Sequence, residues 1–125
     1  MANSSTLIST VEVPDKKIQV NRNIYTYKIT IDGGSDLTVV AADPDNYIGL
    51  VGWHGIPAGA NNLVVKTGST LLALFAFGAN QGLDYRLGPP LLWTNKNEAL
   101  VMSCSAVHDS FIAEIVKWSS EMPVL

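Results

Sequence analysis

One cysteine in 125 residues removes the commonest staple of a small domain. Cys104 has no partner within its own chain, so no internal disulfide forms and the core alone must hold the fold. A reducing site of synthesis fits this usage. Charge is scarce as well: Asp, Glu, Lys and Arg make up 15% of the chain, against about 25% in ordinary soluble domains. The net charge of −3 is modest and dispersed, which leaves no basic footprint for nucleic acid or an anionic membrane. Long apolar runs are missing too. The longest, "LLALFAFGA", falls well short of the roughly 20 residues that span a bilayer. The opening "MANSSTLIST" has no basic start followed by an apolar stretch, so no secretory signal is expected there.

Catalytic and ligand-binding sets are equally thin. "HDS", His108 to Ser110, holds the residue types of a hydrolase triad. Sequence neighbours on a strand or turn point in different directions, however, and a polar corner before the final strand accounts for the same letters. His54, His108 and Cys104 lack the paired spacing of a zinc site. "DPDN" offers Asp43, Asp45 and Asn46 as hard oxygen ligands without the remainder of a calcium loop, and an Asx-Pro turn uses the same residues. The glycines of "GLVGWHGIPAG" are not spaced as a dinucleotide fingerprint. The expectation is a protein that is not an enzyme and carries no metal or cofactor.

What the chain does contain is strand after strand. "NIYTYKITI" alternates cleanly, with Tyr25, Tyr27, Ile29 and Ile31 on one face and Thr26, Lys28 and Thr30 on the other, the pattern of a strand with one dry side. "LTVVAA" and "YIGLVGWHG" follow; the glycines inside the latter signal a bulge or a close backbone neighbour. "NLVVKTGSTLLALFAF" reads as two strands joined by a tight turn at "TG". "GANQGLDYRLGPP" is the longest irregular stretch. "LLW" and "EALVMSC" flank "NKN", where Asn95 and Asn97 tolerate positive φ and Lys96 keeps the tip wet, so a corner is expected there. "FIAEIVKW" is last. Helix is hard to find. Eight or nine short strands punctuated by turns predict a single all-β domain over 1–125, an antiparallel β-sandwich. Tyr25, Tyr27, Ile29, Leu72, Leu74, Leu100 and Met102 are its expected core.

Two regions stand apart. Before Asn23 the apolar residues are sparse and Pro14 interrupts, so residues 1–22 read as an edge strand or as an extended arm that orders on a partner. In the arm reading Leu7, Ile8, Val11 and Val13 fill shallow pockets on that partner. From Asn46 to Asn95 the only formal charges are Lys66, Asp84 and Arg86. A wet sheet face normally carries more, and obligate subunit interfaces are depleted in this manner. Another copy of the chain is therefore expected to cover part of this surface, with Ala73 as a candidate interface position.

The stretch from "VGWHGIPAGANNLVVKTGSTLL" through "WTNKNEALVMSCSA" to "FIAEIVKWS" resembles small structural proteins of tailed bacteriophages. It covers roughly the last three-fifths of the chain, and "WTNKNEAL" is its most specific piece. The resemblance implies a jelly roll of about eight strands that forms homotrimers on the outer surface of the virion, decorating the capsid where major capsid subunits meet, after synthesis in the host cytoplasm. It makes Asn95 and Asn97 loop-tip residues near a neighbour; Trp53 and Trp93, read from the sequence itself, are candidates for the core or a subunit contact. A rival reading is a phage fibre or tail-tip domain, or a carbohydrate-binding module, in which Trp53, Trp93 and Trp118 offer stacking platforms for sugars.

Overall fold

Tyr25, Tyr27, Ile29 and Ile31 line the inner face of strand β2, Val20–Ile31, which pairs with β1, Ser4–Asp15, on one side. The computed structural model describes residues 3–15, 20–31, 35–55, 61–78, 83–85, 92–104 and 108–118, with backbone only for 13–15, 20–22, 61, 77, 83, 85, 108–110 and 118. The remaining strands are β3 (Leu37–Val40), β4 (Tyr47–Gly55), β5 (Asn61–Thr67), β6 (Thr70–Phe77), β7 (Leu83–Tyr85), β8 (Leu92–Trp93), β9 (Leu100–Cys104) and β10 (His108–Trp118). All pairings are antiparallel, and the described residues contain no helix.

Two sheets form. The larger runs β1-β2-β10-β4-β7, with β8 also on β4; the smaller runs β3-β9-β5-β6. The links β2 to β3, β3 to β4, β4 to β5, β6 to β7, β8 to β9 and β9 to β10 all change sheet. One apolar core lies between them. Ile29, Ile48, Leu50, Trp53, Phe111 and Ile115 come from the larger sheet, and Val39, Leu63, Val65, Leu100, Met102 and Cys104 from the smaller. This is a β-sandwich, as the alternation and turn signals predict. Trp53 and Phe111 pack ring against ring with centroids 4.8 Å apart and planes tilted by 38°.

The glycines of β4 have specific neighbours. A Cβ on Gly49 would meet the Trp93 ring at 2.9 Å, one on Gly52 the Glu114 carboxylate at 2.5 Å, and one on Gly55 the Phe111 ring. Close approach is thus the reason for all three. The register shifts between Glu114 and Ile115, leaving Val51 as an extra residue. That bulge lets Leu50 and Trp53, three apart, both face the core.

Five expectations need correction. Leu74 is 58% exposed rather than in the core. It lies opposite Val64, whereas Ala73 and Phe75 lie opposite the buried Val65 and Leu63 and pack on the core. Ala73 therefore faces inward, and a charge there would test the core instead of an outer surface. The segment from Ser4 to Asp15 does not reach away as an arm; it is laid along β2 as an edge strand, which is where Pro14 is tolerated. Leu83–Tyr85, inside the stretch read as irregular, forms β7 against β4. His108–Ser110 belongs to β10, with His108 opposite Ile31, and is not a corner before it.

Candidate functional site

Among the described residues, the outer face of the larger sheet carries a cluster of titratable groups. Trp53 points into the core, so its neighbour His54 points out. Asp84 on β7 lies directly opposite His54, and Glu114 on β10 lies diagonally across, opposite Gly52. His54 Nδ1 is 2.5 Å from Asp84 Oδ1, and His54 Nε2 is 2.6 Å from Glu114 Oε1. A ring carrying protons on both nitrogens satisfies both contacts. Gly52 clears the space in which the Glu114 side chain lies. The Glu114 side chain is only 16% exposed, against 61% for Asp84, so Glu114 relies more on the imidazole. Beside this cluster Ile24, Val51 and Val116 form a small second apolar group under Trp93.

The cluster is tied strand to strand and has the character of a cross-brace. His54→Leu is expected to lower unfolding free energy by about 1–2 kcal/mol, because a mostly buried carboxylate loses its partner while solvent still reaches part of the site. Leucine at both 54 and 114 should restore much of that loss. Urea denaturation reads both variants, and a His54→Leu protein as stable as wild type would remove the brace role.

Three turns meet at one end of the sandwich. In "DPDN" the Asp43 carboxylate accepts hydrogen bonds from the Asn46 side chain at 3.0 Å and the Asp45 N–H at 3.0 Å. These bonds, with Lys117 nearby, hold its carboxyl below the usual range. Its carbonyl accepts the N–H of Asn97 at 3.1 Å. In "NKN" Asn97 has a φ of 64°, and the Glu98 N–H returns to the Asn95 carbonyl at 3.2 Å. A positive φ at the third position is the type II pattern, for which Asn is suited. The Asn95 N–H donates to Thr67 Oγ1 at 2.8 Å, and Thr67 Oγ1 donates to Glu98 Oε1 at 3.1 Å. Gly68, with a φ of 58°, opens the two-residue β5–β6 turn and donates its N–H to the Ala99 carbonyl at 2.9 Å. "NKN" is therefore a corner, as expected, fastened to its two neighbouring turns. The side chains of Asn95, Lys96 and Asn97 stay exposed at its tip.

The smaller sheet's outer face is different in kind. Val64, Leu71, Leu74 and Ala76 stand on it, with Leu71 60% and Leu74 58% exposed. Its cation, Lys66, is held by Asp36 at 3.2 Å toward the β3 margin. Sequence reasoning located the charge-poor region but chose Ala73 and missed Leu71, Leu74 and Val64. Only the pairing register separates the two faces of "TLLALFAF". On the opposite edge Leu7, Ile8 and Val11 are exposed on β1, while the side chain of Val13 lies outside the described residues. Trp53 is buried in the core and Trp93 lies over Gly49; the side chain of Trp118 lies outside the described residues. The same holds for the side chains of "HDS", His108, Asp109 and Ser110. Burial pushes the Cys104 thiol up to about 12, an unreactive form at neutral pH.

Among the described residues no group of three or more His, Cys, Asp or Glu is arranged to hold a metal ion, and no helix is long and apolar enough to cross a membrane. No protein-family model, curated protein or solved structure matches the chain.

Proposed function

We propose that this chain is a structural protein of a tailed-phage virion, a homotrimeric decoration protein that stabilises the outside of the capsid by bridging neighbouring major capsid subunits. The observation that carries the reading is the charge-poor outer side of β5 and β6, where Lys66 is paired with Asp36 and two leucines are more than half exposed. Such a surface is suited to assembly and offers nothing for catalysis. The strand order adds support. Within the six-stranded sheet, β2-β10-β4-β7 face β3-β9-β5-β6, and repeated crossings between two such sets of four strands favour a jelly roll, a fold used in capsid domains.

The mechanism is thermodynamic. A protein that binds only the assembled shell shifts the equilibrium toward that shell. Three linked feet bind with avidity that a single foot lacks. The exposed Leu7, Ile8 and Val11 of β1 provide apolar footing on a strand already in place, so binding there needs little ordering of the chain. The corner formed by Asn95, Lys96 and Asn97 offers neutral and basic hydrogen-bonding groups at one end of the sandwich.

Two measurements test this. Light scattering at micromolar concentration should give three times the 13.4 kDa chain mass; a monomer or dimer would remove the trimer. Purified protein should sediment with phage shells that lack it and saturate in copy numbers divisible by three. Absence of binding to such shells, with the protein folded, would overturn the capsid reading.

A further inference from the structure

The four sheet edges are not alike. On β1 the register shifts around Ile8 and Pro14 interrupts donation, while β3 and β7 have only four and three residues. These are familiar ways of blunting an edge against pairing with other chains. Strand β6 is eight residues long, "TLLALFAF", without a charge or a proline. It has one irregularity, at Leu72, and beyond it Ala73 to Phe77 pair regularly with β5. Its other side has no strand partner among the described residues. The exposed Leu71 and Leu74 stand on this same strand.

We infer that β6, with Leu71 and Leu74 on its outer face and Val64 beside them, is where a second copy of this chain docks. Charge selects the occupant. The chain carries a net −3, so copies repel each other except where formal charge is absent or locally neutralised. The β5–β6 side meets that condition, because its ammonium, Lys66, is already paired with Asp36. A partner of opposite charge would be met by an acidic surface, and this one has none to offer. Size sets the extent of the contact. Four strands about 4.8 Å apart, of four, five, seven and eight residues, make a face of roughly 400 Å², whereas a standard interface takes about 800 Å² per partner. The second copy must therefore sit astride β6, covering its free edge as well as its outer face. This deepens the assembly part of the proposed function and is independent of what the assembly binds.

The test is made on the full chain. Leu71→Asp with Leu74→Asp should reduce the mass by light scattering to that of one 13.4 kDa chain, with the strand-rich circular dichroism retained. Lys28→Asp, on the outer face of the larger sheet, should leave the assembled mass unchanged. Should the double variant fail to fold, Leu74→Cys decides, since buried Cys104 is silent to thiol reagents. Maleimide should label the new thiol more than an order of magnitude more slowly than it labels a Lys28→Cys thiol in the same folded assembly, where Cys104 stays buried. A monomeric wild type, a folded double variant with the wild-type mass, or rapid labelling of Leu74→Cys in the assembly each overturns the inference. Loss of shell binding with β6 contacts intact would sink only the capsid reading.

Discussion

Gly55→Ala is expected to lower the melting temperature by roughly 10 °C, the effect of about 3 kcal/mol on a domain of this length. The added Cβ would fall inside the contact distance of the Phe111 ring. That ring is buried and pressed against Trp53 with 4.8 Å between centroids, so it has nowhere to swing. Either the ring leaves its rotamer or β4 and β10 separate locally, and both cost packing on each side. The cause can be isolated with Phe111→Leu. In the alanine background this change should cost much less than it does in wild type, because it vacates the space the new methyl needs. A Gly55→Ala protein that melts within a degree of wild type would show that the two strands do not approach as described.

Trp53→Ala should be the most damaging single truncation, at about 3–5 kcal/mol. Trp53 is 1% exposed and is the largest of the fully buried side chains. It lies opposite Ala113 on one side and Tyr85 on the other. The small alanine on β10 leaves the room that the indole fills, so removing the indole opens a void no neighbour is long enough to close. Total stability for such a domain is about 5–15 kcal/mol, and the variant is left marginal. Trp53→Phe keeps a ring against Phe111 and should lose less than half as much. Denaturant titrations should show the midpoint moving with an unchanged slope, and a loss below about 1 kcal/mol for the alanine variant would contradict the packing.

The parts of the fold that were legible share a physical property: one wet face and one dry. In β2 the Tyr25, Tyr27, Ile29, Ile31 series declared its inner face because Thr26, Lys28 and Thr30 stand between. The turns were legible because Gly68 and Asn97 are residue types that tolerate positive φ. Where both faces are apolar, as in "TLLALFAF", no alternation exists to choose between them. The register set by β5 and the irregularity at Leu72 decided that Ala73 and Phe75 go in and Leu74 stays out. Strand β7 was missed because three residues are too few for any period to register. The glycines of β4 announced close neighbours but not their identity, since Trp93, Glu114 and Phe111 come from other strands. The His54 cluster had no local signal at all: its two carboxylates lie 30 and 60 positions from the histidine. Pairing of distant strands is what brought them together.

The position of β10 has a consequence for synthesis. It lies between β2 and β4 in the larger sheet, yet it is made after both. Roughly 80 residues separate Ile31 from His108, its partner across that sheet, and a ribosome adding about 5–20 residues per second takes several seconds to cover them. Throughout that interval β2 and β4 each hold an edge open, and Ile29, Ile48 and Leu50 have no Phe111 or Ile115 to close over them. The larger sheet is completed only when the final strand is inserted into its middle. Folding is thus committed late, and nascent chains lacking β10 offer the cell's chaperones two sticky half-sheets instead of a domain.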